Sequence, residues 1–492
     1  MKRKFVYISA LVLLATAPGC KKYLEQVPDQ RTDVNSPSKV AELLTSAYPR
    51  ANYIPFLEAM SDNAQDKGVA PNDIVNRESW KWNDVPYREE DSPDFYWQKA
   101  YAAIAAANEA LRVIGEASDP ASYAASKGEA LLARAYAHFM LVTIYAKVYN
   151  PNTAASDPGI PYVTAPENVV TGKYERKTVK YVYDMIEKDL TEGLPLIDDN
   201  SYKGAPSYHF TRAAAHAFAT RFYLFKKDYQ QVVQHANLTF PSGNALPYLR
   251  PINSQEFQGL EPLVKRKVYT QATTKANLLL VETASLWARS LRSNAYGCDV
   301  NILQGVVWGN NSTGGLYGFM FYGTPETYFT PKFNELFIRT DINANIGNAY
   351  DMVPLLTAEE VLFNRAEANT ELGNYDAAIA DLNTYASQRM IIDQNAHNYY
   401  DPVAHKLTRD KITNFYGTVD LRAALINNIL DFKRVEFLFE GLRWFDILRH
   451  KLPVTHNTRD NKTRMTLGPN DPRRVVQIPQ EAQSSGLELN PR

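Results

Sequence analysis

At 492 residues the chain is long enough to bury a sizeable core, as one large domain or two closely merged ones. Its 53 Lys and Arg against 54 Asp and Glu leave no net field to hold nucleic acid or an anionic membrane surface, and nucleic acid is not expected as a partner. Two cysteines exclude a disulfide framework of any size, and Cys298 reads as a free thiol.

The chain opens with Lys2, Arg3 and Lys4 ahead of an apolar run over residues 5–17. That order is the order of a secretion signal, and the run is too short to span a bilayer. Ala17, Pro18 and Gly19 then lead to Cys20, which resembles a lipobox ending in a cysteine that becomes acylated; Ala17 and Pro18 depart from the usual pattern. An ordinary signal peptide followed by a chance cysteine is the alternative. We expect a signal peptide over 1–19 and a lipid anchor at Cys20, with a polar tether running to residue 35.

Helical periodicity dominates the body. Residues 95–114 and 129–149 carry apolar side chains at three- and four-residue steps, with Ala between them, and predict a helical hairpin. Two further segments share one pattern. Lys227, Asp228 and Tyr229 in the first, and Gly373, Asn374 and Tyr375 in the second, form a turn followed by small and apolar residues at matching offsets. This is the texture of a tetratricopeptide hairpin, and about four such hairpins are expected. Thr357 and Glu360 predict a capping box that starts the last of them. The fold class is therefore mainly α, with tetratricopeptide-like hairpins as scaffold. The long irregular insertions 61–94, 150–173 and 237–354 are rich in Gly, Pro, Asn and aromatics, and are expected to form the ligand surface.

Exposed Trp and Tyr can cover the flat apolar face of a sugar ring while Asn, Asp or Arg bond its hydroxyls. Trp80, Trp82, Asn83 and Tyr87 offer this mixture, and the alternation of Trp80 and Trp82 fits a short strand with both indoles on one face. A second candidate run holds Tyr296, Trp308 and Tyr317 among glycines. Asn63, Asp66 and Lys67 could add polar contacts. In each case the alternative is that the aromatics pack on the core and the polar groups face water. Catalysis finds no support. The eight histidines show no metal-ligand spacing, and neither a nucleophile elbow nor a phosphate loop is present, so no metal, cofactor or reaction is expected.

Residues 431–450 carry Arg434, Val435 and Glu436, then Glu440 and Gly441, then Arg443, Trp444, Phe445 and Asp446. Their apolar residues at helical spacing read as a buried helix with internal ion pairs three and four apart. The stretch closely resembles the C-terminal signature of the SusD/RagB family of outer-membrane nutrient-binding lipoproteins. Leu24 to Pro28, Tyr96 to Gln98, Gly128 to Ala130 with Arg134 to Tyr136, Gly159 to Pro161, and Ile478 with Pro479 fall in the family's order. The resemblance implies an N-terminal region over 36–330 with hairpins and ligand loops, and a C-terminal SusD/RagB region over 331–492. It also implies a surface lipoprotein that delivers an oligosaccharide to a SusC-like TonB-dependent transporter, with the helical side against the barrel. A peptide or amino-acid carrier, or a transporter scaffold without ligand, are the rival readings.

Overall fold

Helices form where the sequence supplies both a cap and an apolar face. The computed structural model describes residues 34–492 apart from 72, 168–171, 343 and 394–397. The expected signal peptide and the expected lipid-anchor cysteine, Cys20, lie outside the described residues. Short helices α1 (Pro37–Leu44), α2 (Ile54–Met60) and α3 (Ile74–Trp80) precede α4 (Pro93–Glu116), which starts at Ser92, whose hydroxyl accepts the Phe95 amide, with Pro93 in the first turn. Helix α5 (Ala124–Tyr145) is buried at every residue from Gly128 onward, which explains its Ala-rich sequence. It packs between α4 and α6 (Val179–Gly193). A Cβ on Gly128 would lie 2.9 Å from the Gly193 carbonyl oxygen, and one on Gly193 would lie 3.0 Å from that of Gly128, so the paired glycines allow the close crossing. Arg134 ties the same helices together by two 2.7 Å bonds to Asp189.

The two expected turns are both present. Helices α7 (Arg212–Lys226) and α8 (Tyr229–Thr239) join through Lys227, in the left-handed region at φ 67°, and Asp228, which caps α8. Three strands then form an antiparallel sheet in the order β1 (Asn277–Ala284), β3 (Gly347–Thr357), β2 (Glu335–Arg339), with α9 (Val300–Val306) in the connection. From β3 the chain enters α10 (Ala358–Glu371) at the Thr357 cap and turns at Gly373, φ 80°, into α11 (Tyr375–Ser387). Only half of the expected capping box forms: Thr357 accepts the Glu360 amide, but the Glu360 carboxylate leaves it for two 2.5 Å bonds to buried Arg221 on α7. A charged donor outcompetes a backbone amide there.

The signature is not one helix. It is split into α13 (Leu421–Glu436), preceded by the short α12 (Arg409–Tyr416), and α14 (Leu442–Arg449). Phe439 and Gly441 between them adopt φ of 73° and 71°, and Glu58 of α2 holds that turn by accepting their amides at 2.8 and 2.9 Å. Most of the charged side chains accordingly pair outside the segment. Arg389 reaches Glu436, Lys332 reaches Glu440, and Arg443 reaches Asp62, while Lys433 and Arg449 both meet Asp446. A hairpin of β4 (Val454–Asn457) and β5 (Arg464–Leu467) follows. Among the described residues no helix is long and apolar enough to cross a membrane.

Candidate functional site

The loop after α2 is held on three sides, and that fixes a polar cleft. Gln65 and Asp66 pair with Tyr296 and Gly297 as a two-residue antiparallel ladder. On the opposite side Gln65 exchanges bonds with Thr455 and Asn457 of β4, at 3.3 and 3.0 Å. From beneath, Arg443 donates twice to Asp62 at 2.8 Å, and Arg434 donates to the Asn63 side chain at 2.8 Å and the Asp62 carbonyl at 2.7 Å. The cleft above encloses about 640 Å³ and presents Asp66, Lys67, Asn301, Arg434, Asn457 and Arg459. Asp299 lines it too and caps α9 through the Ile302 amide at 2.9 Å.

The charges at the cleft floor are held differently. Burial would raise the Asp62 pKa, but the bonds and charge of Arg443 and Arg434 outweigh it and hold the carboxyl at about 2. Burial pushes Lys67 down to about 8, against the pull of Cys298, Asp299 and Glu326, and its ammonium donates to the Arg292 carbonyl at 3.0 Å. Gly305, Val306 and Arg434 also wall a smaller pocket that contains Asn310, Asn311 and Phe415.

Trp308 lies two residues after Val306 of that shared wall. It is 40% exposed, and its ring meets Phe321 and Tyr328 edge-on at 6.2 and 5.5 Å, which stands the indole on an aromatic base. Each of the other five tryptophans is 7% exposed or less.

Trp80 and Trp82 do not form the expected strand. Trp80 ends α3, and Trp82 sits at φ 55°, so the chain turns and both indoles point inward, 1% and 3% exposed. They clasp His456 of β4 at centroid distances of 5.0 and 4.3 Å, and Tyr296 stacks on Trp80 at 4.2 Å. Their ring N–H groups donate to Ala64 and Met60 carbonyls. The four-ring stack anchors the cleft loop rather than facing a ligand. Tyr317 is also buried, beside Phe432. Asn83 and Tyr87 remain at the surface but line a different crevice, of about 280 Å³, against Arg473, Gln477 and Gln480. Of the polar candidates, Asp66 and Lys67 reach the cleft, and Asn63 supports it from below. Sequence reasoning missed Asp299, Asn301, Asn457 and Arg459. Alternation along β4 into Arg459 was the available signal, but the hairpin is short and polar. The thiol of Cys298 is buried, outside any disulfide. Among the described residues no group of three or more His, Cys, Asp or Glu is placed to hold a metal.

Two family models cover most of the chain. Residues 22–224 match a SusD-like family described as starch-binding and associating with the outer membrane, and residues 287–486 match the SusD/RagB family. The chain belongs to the SusD/RagB family. Solved SusD structures share its fold. A SusD superfamily protein from Bacteroides thetaiotaomicron is 17% identical, with 93% of this chain and 100% of that chain covered and a TM-score of 0.65. Another from Bacteroides fragilis is 19% identical, covering 92% and 99%, at 0.67. A SusD-like carbohydrate binding protein from Bacteroides vulgatus is 15% identical, covering 92% and 96%, at 0.64. No curated protein sequence matches. The SusD family is one of carbohydrate-binding outer-membrane proteins, and binding rather than catalysis is its activity.

Proposed function

We propose that this chain is a lipid-anchored, surface-facing SusD protein that captures an oligosaccharide and passes it unchanged to a SusC-like TonB-dependent transporter. The observation that carries the reading is Trp308. It is the one tryptophan of six left in solvent, and it lies two residues after Val306, which lines the polar cleft. A sugar ring stacked on its indole would present hydroxyls to the cleft side chains, with Asn301 and Asn457 able to donate and accept at once. Neutral sugar is suited to the cleft floor, where Arg434 and Arg443 already pair with Asp62. The descriptions starch-binding, for the N-terminal family model, and carbohydrate binding, for the Bacteroides vulgatus relative, support the same class.

A peptide is the second reading, and the charged lining favours it, since Asp66, Asp299, Lys67 and Arg459 could engage both ends of a zwitterion. Affinity gels with starch and other polysaccharides, beside calorimetry with a peptide pool, separate the two. Retardation by one glycan class supports the first; heat from peptides with no glycan retention replaces it. Co-purification of a barrel transporter from detergent-solubilised outer membrane tests the delivery step.

A further inference from the structure

The β2–β3 hairpin carries an apolar surface that the fold leaves bare. Leu336, Phe337 and Ile338 on β2 are 49%, 39% and 47% exposed, and Ile342 at the tip is 86% exposed. Strand β2 is an edge, since it bonds only to β3 in the order β1, β3, β2. An exposed apolar edge is a template for another strand. The direction of its free groups follows from the ladder. The Thr340 amide donates inward to Ile346, so with period two the bonding residues of β2 toward β3 are Ile338 and Leu336. The Ala349 carbonyl, opposite Phe337, accepts instead from Ser285 on the far side, as that alternation requires. Glu335, Phe337 and Arg339 therefore turn their N–H and C=O groups to solvent.

We infer that this edge binds a second copy of the chain, β2 against β2, antiparallel about a two-fold axis at Phe337. The sequence Glu335, Leu336, Phe337, Ile338, Arg339 complements itself in that arrangement. Phe337 exchanges both backbone bonds with its mate, Leu336 lies opposite Ile338, and Glu335 lies opposite Arg339, so each end joins opposite charges. Glu335 is already held by Arg289 at 2.6 Å, and Arg289 also lies over the Phe337 ring, so the strand is ordered before pairing. Two five-residue strands bury far less than the ~1,000 Å² of a stable interface, so the dimer is weak and depends on concentration.

The test uses the full chain with a single added cysteine. In a hydrogen-bonded antiparallel pair, mates sit about 5.5 Å apart at Cα, within disulfide reach. Phe337→Cys should give a disulfide dimer under mild oxidation, several-fold more than Ile342→Cys, although Ile342 is the more exposed position. Phe337→Pro, which deletes an outward N–H and is tolerated at an edge, and Ile338→Lys should each abolish the rise of sedimentation mass with concentration that the wild type should show. Equal or greater cross-linking at Ile342, no dimer at Phe337, cross-linking of Phe337→Cys only to a different polypeptide, or a mass rise unchanged in both edge variants would overturn the inference.

Discussion

Arg434 Nε lies 2.8 Å from the Asn63 carboxamide oxygen, so the helix that carries the family signature also props the floor of the candidate ligand cleft. Beside it, Asp62 binds Arg443 and is held at about 2. Because that folded value is below the ordinary Asp value of about 4, the stabilisation is present above pH ~4 and is lost as pH falls through 2. Asp62→Asn should cost about 2 kcal/mol at pH 7 and flatten the acid limb of a melting-temperature profile. An unchanged limb would show that the pair contributes nothing.

Asp91 and Asp351 flank Ser285 and behave oppositely. Burial raises Asp351 to about 8 and Asp91 to about 7, and each keeps one buried oxygen without a hydrogen-bond partner. A raised carboxyl value means that stability is full below pH ~4 and declines as pH rises through 7 to 8. Asp351→Asn should keep the bond to the Ala288 amide and should melt higher than the wild type at pH 8.5, by on the order of 2 kcal/mol, with little difference at pH 4. A lower melting temperature at pH 8.5 contradicts this account.

Arg389 is fully buried between Glu436, at 2.7 and 2.9 Å, and Glu359, at 3.0 Å. Arg389→Met would strand the Glu436 carboxylate in the core, while Glu359 would keep its pair with Arg250. It should destabilise the chain by about 3–5 kcal/mol in urea unfolding, more than any single surface ion-pair variant such as Arg112→Met.

The tryptophan pair shows what sequence could and could not reveal. Spacing of two is shared by a strand and by a helix end followed by a left-handed residue, and only the φ of Trp82 decides between them. Trp82→Ala should therefore cost about 3–5 kcal/mol of stability through loss of the stack on His456, with any loss of binding following from that. The hairpins at Tyr229 and Tyr375 were legible because turn, cap and apolar period lie within one short segment. Burial of Trp444 was legible for the same reason. The cleft was not, because it draws on residues 62–67, 299–306, 434 and 457–461, which no local pattern connects. Within one glycine-rich run, Trp308 faces out and Tyr317 faces in, a difference set by what each packs against: Phe321 and Tyr328 for the first, Phe432 for the second.

The most direct measurement is a calorimetric titration of wild type, Trp308→Ala and Trp82→Phe with a soluble starch-derived oligosaccharide, or with the glycan retained best in affinity gels. The account predicts binding by the wild type and Trp82→Phe, and at least about a tenfold weaker constant for Trp308→Ala, a loss near 1.4 kcal/mol, at an unchanged melting temperature. Equal affinity of Trp308→Ala and wild type, or no glycan bound by the wild type at all, would contradict it.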